Sequence, residues 1–91
     1  MDSIKILRKP EVEEITGLSR TTMYERTKIG LFPEPISLGG RAVGYLEHEV
    51  QTVIVLLAAG RDNETIKRAV ALMKENREKM ASSFMKSLVG L

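Results

Sequence analysis

Residues 9–30, KPEVEEITGLSRTTMYERTKIG, constrain the fold of this chain more than any other stretch. Pro10 suits the start of a helix, because its missing N–H would have no hydrogen-bond partner there. Gly17 supplies the permissive backbone that a helix end commonly needs. Ser19 can cap a second helix by accepting a backbone N–H. A helix, a short turn containing glycine and a second helix form a helix-turn-helix, which is typical of DNA-binding proteins.

A β-hairpin follows the two helices. Two β-capable runs flank Gly39 and Gly40, and Arg41 completes the predicted tip. A helix pair followed by a hairpin is a winged helix-turn-helix, so we expect a mainly α fold with a small β-hairpin wing and a long C-terminal helix. The predicted elements, in order, are helices over residues 9–16 and 20–29, a hairpin over 36–45, and helices over 46–59 and 62–87.

Apolar spacing predicts how these elements pack. Val12 and Ile15 lie three residues apart, so they share one face of the first helix. Phe32, with Leu31 before it, should close the base of the helix pair. The third helix is apolar on nearly all sides because of Val55 and its neighbours, which predicts cover on more than one face.

Charge and composition narrow the function only slightly. The chain has 14 Lys and Arg against 12 Asp and Glu, for a net charge of +2, so any electropositive face must come from the arrangement of charges. The absence of cysteine excludes disulfides and thiolate metal sites. No apolar run approaches the roughly 20 residues that span a bilayer. We expect a soluble cytoplasmic protein without membrane contact.

Enzyme and metal chemistry are not expected. Glu47, His48 and Glu49 are consecutive and do not share one helix face, and His48 is the chain's one histidine. The sequence contains neither a phosphate-binding glycine loop with Lys and Ser/Thr nor a recognisable catalytic triad. We therefore assign no catalytic residues, metal ligands or cofactor.

The second helix and the wing carry the candidate DNA contacts. Arg20, near the helix start, can pair bidentately with guanine in the major groove. Arg41 can reach a phosphate or the minor groove from the wing tip. The alternative is a solvated helix face on which Thr22 only assists the cap. The full candidate set is Ser19, Arg20, Thr21, Thr22, Tyr24, Lys28, Gly40 and Arg41; Arg8 and Lys9 are weaker candidates for the DNA backbone, and Tyr45 is expected under the hairpin.

The long C-terminal helix carries an apolar stripe that Arg77 interrupts. The sequence divides into a winged domain over residues 1–61 and this helix over 62–91. The stripe can pair two copies into a homodimer or fold back on its own domain, and both readings stay open. Its members are Ile66, Val70, Met73, Met80 and Phe84.

Four motifs resemble the AlpA family of prophage regulators. They are LRKPEV at residues 7–12, TGLSRTTMY at 16–24, FPEP at 32–35 and LGGRAVG at 38–44. The resemblance implies a winged, MerR-like helix-turn-helix that binds double-stranded DNA in the bacterial cytoplasm, associated with the nucleoid through that DNA. It also implies a sequence-specific transcriptional regulator of prophage or mobile-element genes. Close relatives of the family are excisionases that bend DNA, which is the alternative function.

Residues 53–67 are similar to the helix, glycine, helix passage of MerR regulators, in which a longer helix pairs two subunits. Those proteins usually carry an effector site beyond that helix. This chain ends before such a site, so no small-molecule effector is expected. A third possibility, of another class, is a protein-interaction module that acts through the C-terminal helix.

Overall fold

The computed structural model describes residues 4–90, and the sequence predicted its helices to within two residues at each end. The elements are β1 (Ile6–Leu7), α1 (Lys9–Thr16), α2 (Arg20–Lys28), β2 (Ile36–Gly39), β3 (Ala42–Leu46), α3 (Glu47–Ala58) and α4 (Asn63–Leu88).

The predicted caps define the helix pair α1 and α2. The backbone N–H of Arg8 donates to the Glu11 carboxylate at 3.0 Å, closing the first turn of α1. Gly17 ends α1 with a φ of 73°, a left-handed backbone conformation that residues other than glycine rarely adopt. Ser19 then starts α2 by accepting the backbone N–H of Thr22 at 3.1 Å. The tight turn between the helices is therefore fixed by local chemistry.

The strands form a three-stranded antiparallel sheet in the order β1-β3-β2. The predicted hairpin is confirmed as β2 and β3, with an irregular register between Ser37 and Gly39. The sequence suggested only an extended segment for residues 1–8. Ile6 and Leu7 pair with Leu46 and Tyr45 on the other edge of β3, and residues 1–3 lie outside the described part.

The core lies between α1, α2, α3 and the sheet. Val12, Met23 and Phe32 are almost fully buried there, as are Val50 and Val53 of α3. The Phe32 ring meets the ring of buried Tyr45 edge to face, with centroids 5.9 Å apart, a favoured aromatic geometry. Leu31, Phe32 and Tyr45 are all buried in this core, as their predicted packing positions require.

Two apolar side chains of these helices are exposed. Ile15 is 48 % exposed, because a three-residue step turns it about 60° from Val12 around the helix axis and the short helix α1 buries only a narrow face. The predicted cover on more than one face of α3 is wrong. Val55 is 64 % exposed, because α3 packs on β3, α1 and α4 from one side while its opposite face has no cover among the described residues.

The first half of α4 belongs to the same core. Asp62 caps the helix by accepting the backbone N–H of Thr65 at 2.9 Å. Ile66, Val70 and Met73 are then buried with the residues of the winged domain. This half of the helix follows the fold-back reading, and contact with a second copy stays a prediction for the stripe's distal residues, Met80 and Phe84. Among residues 4–90, no helix is both long and apolar enough to cross a membrane.

Candidate nucleic-acid interface

The outer face of α2 presents cationic and aromatic side chains to solvent. The Arg20 side chain is 65 % exposed, and Thr21 is also exposed. Tyr24 is 64 % exposed, and the Lys28 ammonium lies 5.1 Å from the centre of its ring. Tyr24 and Lys28 are four positions apart in α2, which places them on the same face of the helix and allows this cation–π contact.

The polar residues at the start of α2 are engaged in capping. Ser19 accepts the backbone N–H of Thr22, and the two hydroxyls are 3.0 Å apart in a further hydrogen bond. This geometry is the local cap that the sequence left open as an alternative for Thr22. Their contact with DNA stays a prediction.

The tip of the wing is a glycine turn that leaves Arg41 exposed. Gly39 and Gly40 have φ values of 101° and 55°, which a residue with a Cβ rarely adopts. Arg8 ties the wing to the start of α1, because its Nε donates to the backbone carbonyl of Val43 at 3.1 Å. This hydrogen bond adds one contact between the wing and the start of the helix pair.

An open cleft of about 400 Å³ lies between α1, α2 and the wing. Four cations line it, namely Arg8, Lys9, Arg20 and Arg41, together with Pro10 and Val43. Like charges around one concave surface raise its positive potential and attract anions such as phosphate. The overall charge of +2 conceals this local concentration.

The structure brings some of the predicted residues together and leaves others apart. Arg20 and Arg41 share the cleft, and the weaker candidates Arg8 and Lys9 join them there. Thr21, Thr22, Tyr24 and Lys28 do not line it. Tyr24 instead lines a neighbouring pocket with Arg20 and Lys9, whereas Thr22 lines a different pocket with Glu25 and Arg26. Gly40 contributes only its backbone conformation, since it has no side chain.

Sequence reasoning missed the acidic residue beside the candidate base-reading arginine. Glu13 of α1 accepts the Nε–H of Arg20 at 2.9 Å, across the turn of the helix pair. The two residues are seven positions apart, on different helices. The spacing alone does not show that their side chains meet, because this depends on how the turn orients the two helices. A helix-turn-helix template applied to the sequence could have paired them.

The acidic and histidine residues at the start of α3 do not form a metal site. The Glu49 side chain is 2 % exposed and is bound by Arg77 of α4. In the part of the chain that the structure describes, His, Cys, Asp and Glu nowhere gather in a group of three or more that could hold a metal ion.

Two capped helices joined by a tight turn, with a glycine-tipped hairpin beside the second helix, define a winged helix-turn-helix protein. The sequence model described as prophage CP4-57 regulatory protein (AlpA) matches residues 5–54, which include the helix pair, the wing and most of α3. The chain belongs to the AlpA family of prophage regulatory proteins.

One curated relative is similar to this chain. It is the uncharacterized protein ORF88 of Enterobacteria phage P4, which is 46 % identical over 57 residues. The alignment covers 63 % of this chain and 65 % of the relative, so the chain spans just under two thirds of that protein's length. No solved structure matches at a significant level.

Proposed function

We propose that this protein binds double-stranded DNA in a sequence-specific manner and regulates transcription of prophage or mobile-element genes in the bacterial cytoplasm. The observation that carries the proposal is the cleft in which Arg20 of α2 and Arg41 of the wing share a surface with Arg8 and Lys9. Membership of a prophage regulatory family supports the regulatory part of the proposal.

The docking that fits this surface inserts α2 into the major groove. A helix with its side chains is about 10–12 Å across, and the major groove of B-DNA is about 12 Å wide. Arg20, at the first position of α2, then meets base edges, while Arg41, Arg8 and Lys9 contact phosphates of the adjoining backbone. Phosphate contacts fix the position of the protein, and Arg20 supplies the sequence information.

Selection of bound duplexes from a random pool tests this proposal. We expect an enriched motif for the natural protein, and an affinity lower by about 1–3 kcal/mol for that motif after Arg20→Ala. Arg68→Ala is the matched control, because Arg68 is exposed on α4 and does not line the cleft. Equal affinity of all three proteins for the selected duplex would contradict a base-reading function for Arg20.

Measurements of bending on the same selected duplex distinguish a transcriptional regulator from an architectural, DNA-bending protein. Circular-permutation gels that report strong bending would favour the excisionase-like function over readout alone. If a folded sample enriches no motif, and the full chain binds a partner protein that Phe84→Glu no longer binds, the protein-interaction reading replaces DNA binding.

We further propose that two copies associate through the distal half of α4. Met80, Ala81 and Phe84 form an apolar groove with Ile4, and Phe84 is 61 % exposed. The spacing continues the buried stripe of Ile66, Val70 and Met73 past the edge of the domain, as expected of a helix that pairs with the same helix of a second copy.

Phe84→Glu tests this association without removing core residues. Truncation after Gly60 would delete Ile66, Val70 and Met73, so loss of assembly after that change would be confounded with unfolding. We expect Phe84→Glu to lower the mass measured by light scattering, and Leu72→Glu, at an exposed position on another face of α4, to leave it unchanged. A monomeric natural protein would contradict the proposal.

A further inference from the structure

Glu13 and Arg20 form an ion pair at the entrance of the recognition surface. Oε2 of Glu13 accepts the Nε–H of Arg20 at 2.9 Å, and their side chains are 32 % and 65 % exposed. The carboxylate comes from α1 and the guanidinium from α2, so the contact spans the turn of the helix pair.

The choice of nitrogen determines what Arg20 can still bind. A guanidinium carries five N–H groups in a planar fork, and Glu13 occupies only the one on Nε. Within residues 4–90, neither Nη group of Arg20 donates a hydrogen bond. The pair of Nη groups is the edge of the fork that matches two acceptors on one base.

Fixing the Nε side also limits the motion of the side chain before any partner arrives. An exposed arginine otherwise samples many rotamers, and ordering them on binding costs affinity. A guanidinium held by a carboxylate is already oriented when it meets its acceptors.

The negative charge of Glu13 adds a second effect. A carboxylate beside the arginine opposes the approach of phosphate oxygens, which carry the same charge. Nonspecific association depends mainly on phosphates, whereas a guanine edge offers two neutral acceptors. Glu13 therefore disfavours contact between Arg20 and phosphate more than contact between Arg20 and guanine, and such a difference is a common source of specificity.

We propose that Glu13 is a positioning residue that sets the specificity of Arg20, holding its Nη edge toward a base and away from phosphates. The inference rests on the proposed DNA binding. The inference adds an acidic residue of α1 to the proposed DNA-binding site, so that discrimination between sequences depends on a residue outside α2.

The test compares Glu13→Gln with Glu14→Gln, which removes the same charge from the next position. Glu14 is exposed and makes no ion pair among the described residues. Affinities are measured for the selected duplex and for a duplex of random sequence. Both variants are also made in the Arg20→Ala background, and thermal unfolding checks that each protein is folded.

We expect Glu13→Gln to bind the random duplex at least as tightly as the natural protein. Its preference for the selected duplex should fall by about three- to tenfold, the size typical of coupling between contacting residues. Glu14→Gln should retain the natural preference, and Glu13→Gln should have no further effect on preference once Arg20 is alanine. In the free protein, the Nε–H resonance of Arg20 should shift in Glu13→Gln alone.

Two failures are distinguishable. If the natural protein prefers the selected duplex and Glu13→Gln matches Glu14→Gln in preference, the inference is overturned while the proposed function stands. If the natural protein shows no preference for any duplex, both are overturned.

Discussion

Arg77 of α4 binds both carboxylate oxygens of Glu49 in α3, with Nη2–Oε1 and Nε–Oε2 distances of 2.6 and 2.9 Å. Nη2 also donates to the backbone carbonyl of Glu34 at 2.8 Å. The hydrogen bonds that Arg77 donates to the Glu49 carboxylate raise the pKa of Arg77 above its ordinary value. The residue that interrupts the apolar stripe of α4 thus adds a polar contact with the domain to the packing of Ile66, Val70 and Met73.

Arg77→Ala should destabilise the protein by about 3–5 kcal/mol, because it leaves the buried carboxylate of Glu49 without a partner. Urea denaturation measures the change. Lys74→Ala is the matched control: its ammonium lies 3.0 Å from the Glu34 carboxylate in a pair with side chains 59 % and 51 % exposed. That control should cost less than about 1 kcal/mol. Equal losses of unfolding free energy for the two variants would contradict a larger contribution from the buried ion pair.

Arg41→Ala should weaken binding to all duplexes by a similar factor, because we assign Arg41 to phosphate rather than to a base. The slope of log affinity against log salt concentration should become less steep by about one unit, which corresponds to the loss of one phosphate contact. Titrations at several salt concentrations, with the selected and random duplexes, measure both quantities. A change in the preferred sequence, with the slope intact, would instead assign Arg41 to base reading.

Stability should decline in alkali through Tyr45. Burial raises the pKa of its phenol above the ordinary 10.0, so the unfolded chain releases this proton at lower pH than the folded one. The contribution of Tyr45 is therefore complete below about pH 10 and is lost as the pH rises through the raised pKa. Tyr45→Phe should flatten this decline in thermal unfolding, and Tyr24→Phe, at an exposed position, should not. Identical alkaline profiles for Tyr45→Phe and the natural protein would contradict the assignment.

Gly44→Ala should destabilise the sheet by about 1–3 kcal/mol, the usual cost of overpacking. A Cβ at this position would overlap Cγ2 of Ile6 and would lie 3.2 Å from both Cδ1 of Leu38 and the backbone oxygen of Leu7. The added carbon requires the Ile6 side chain to change its conformation, or strand β1 to shift, and either change weakens the packing at this edge of β3. Ser37→Thr adds one carbon at an exposed strand position and should leave the melting temperature nearly unchanged. Similar melting temperatures for the two variants would contradict this packing.

The helix pair and wing were predictable because local chemistry defines them. Pro10, Gly17 and Ser19 mark helix ends within a few residues of sequence, and Gly39 with Gly40 marks the hairpin turn. Each signal acts on backbone groups close along the chain, so no knowledge of tertiary structure was needed. The same holds for the Phe32 position, which follows directly from the end of the second helix.

The contacts that join distant segments were not predictable in the same way. Glu49 and Arg77 are 28 residues apart, and neither spacing nor composition distinguishes a buried carboxylate from an exposed one at a helix start. The direction in which α4 leaves α3 depends on the conformation of the turn at Gly60, which has a φ of 71°. Only that direction decides whether Ile66, Val70 and Met73 meet their own domain or solvent.

The hydrogen bond from Arg8 to the carbonyl of Val43, at 3.1 Å, has a consequence for the operators that such a protein can use. It joins the wing to the start of α1, and strand β1, which directly precedes α1, pairs with strand β3 of the wing, so two contacts set the position of the wing relative to the helix pair. Under the docking proposed above, this arrangement sets the distance between the base contact of α2 and the phosphate contact of the wing. A binding site with one base pair inserted between the bases read by α2 and the phosphates met by the wing would present one contact or the other, but not both.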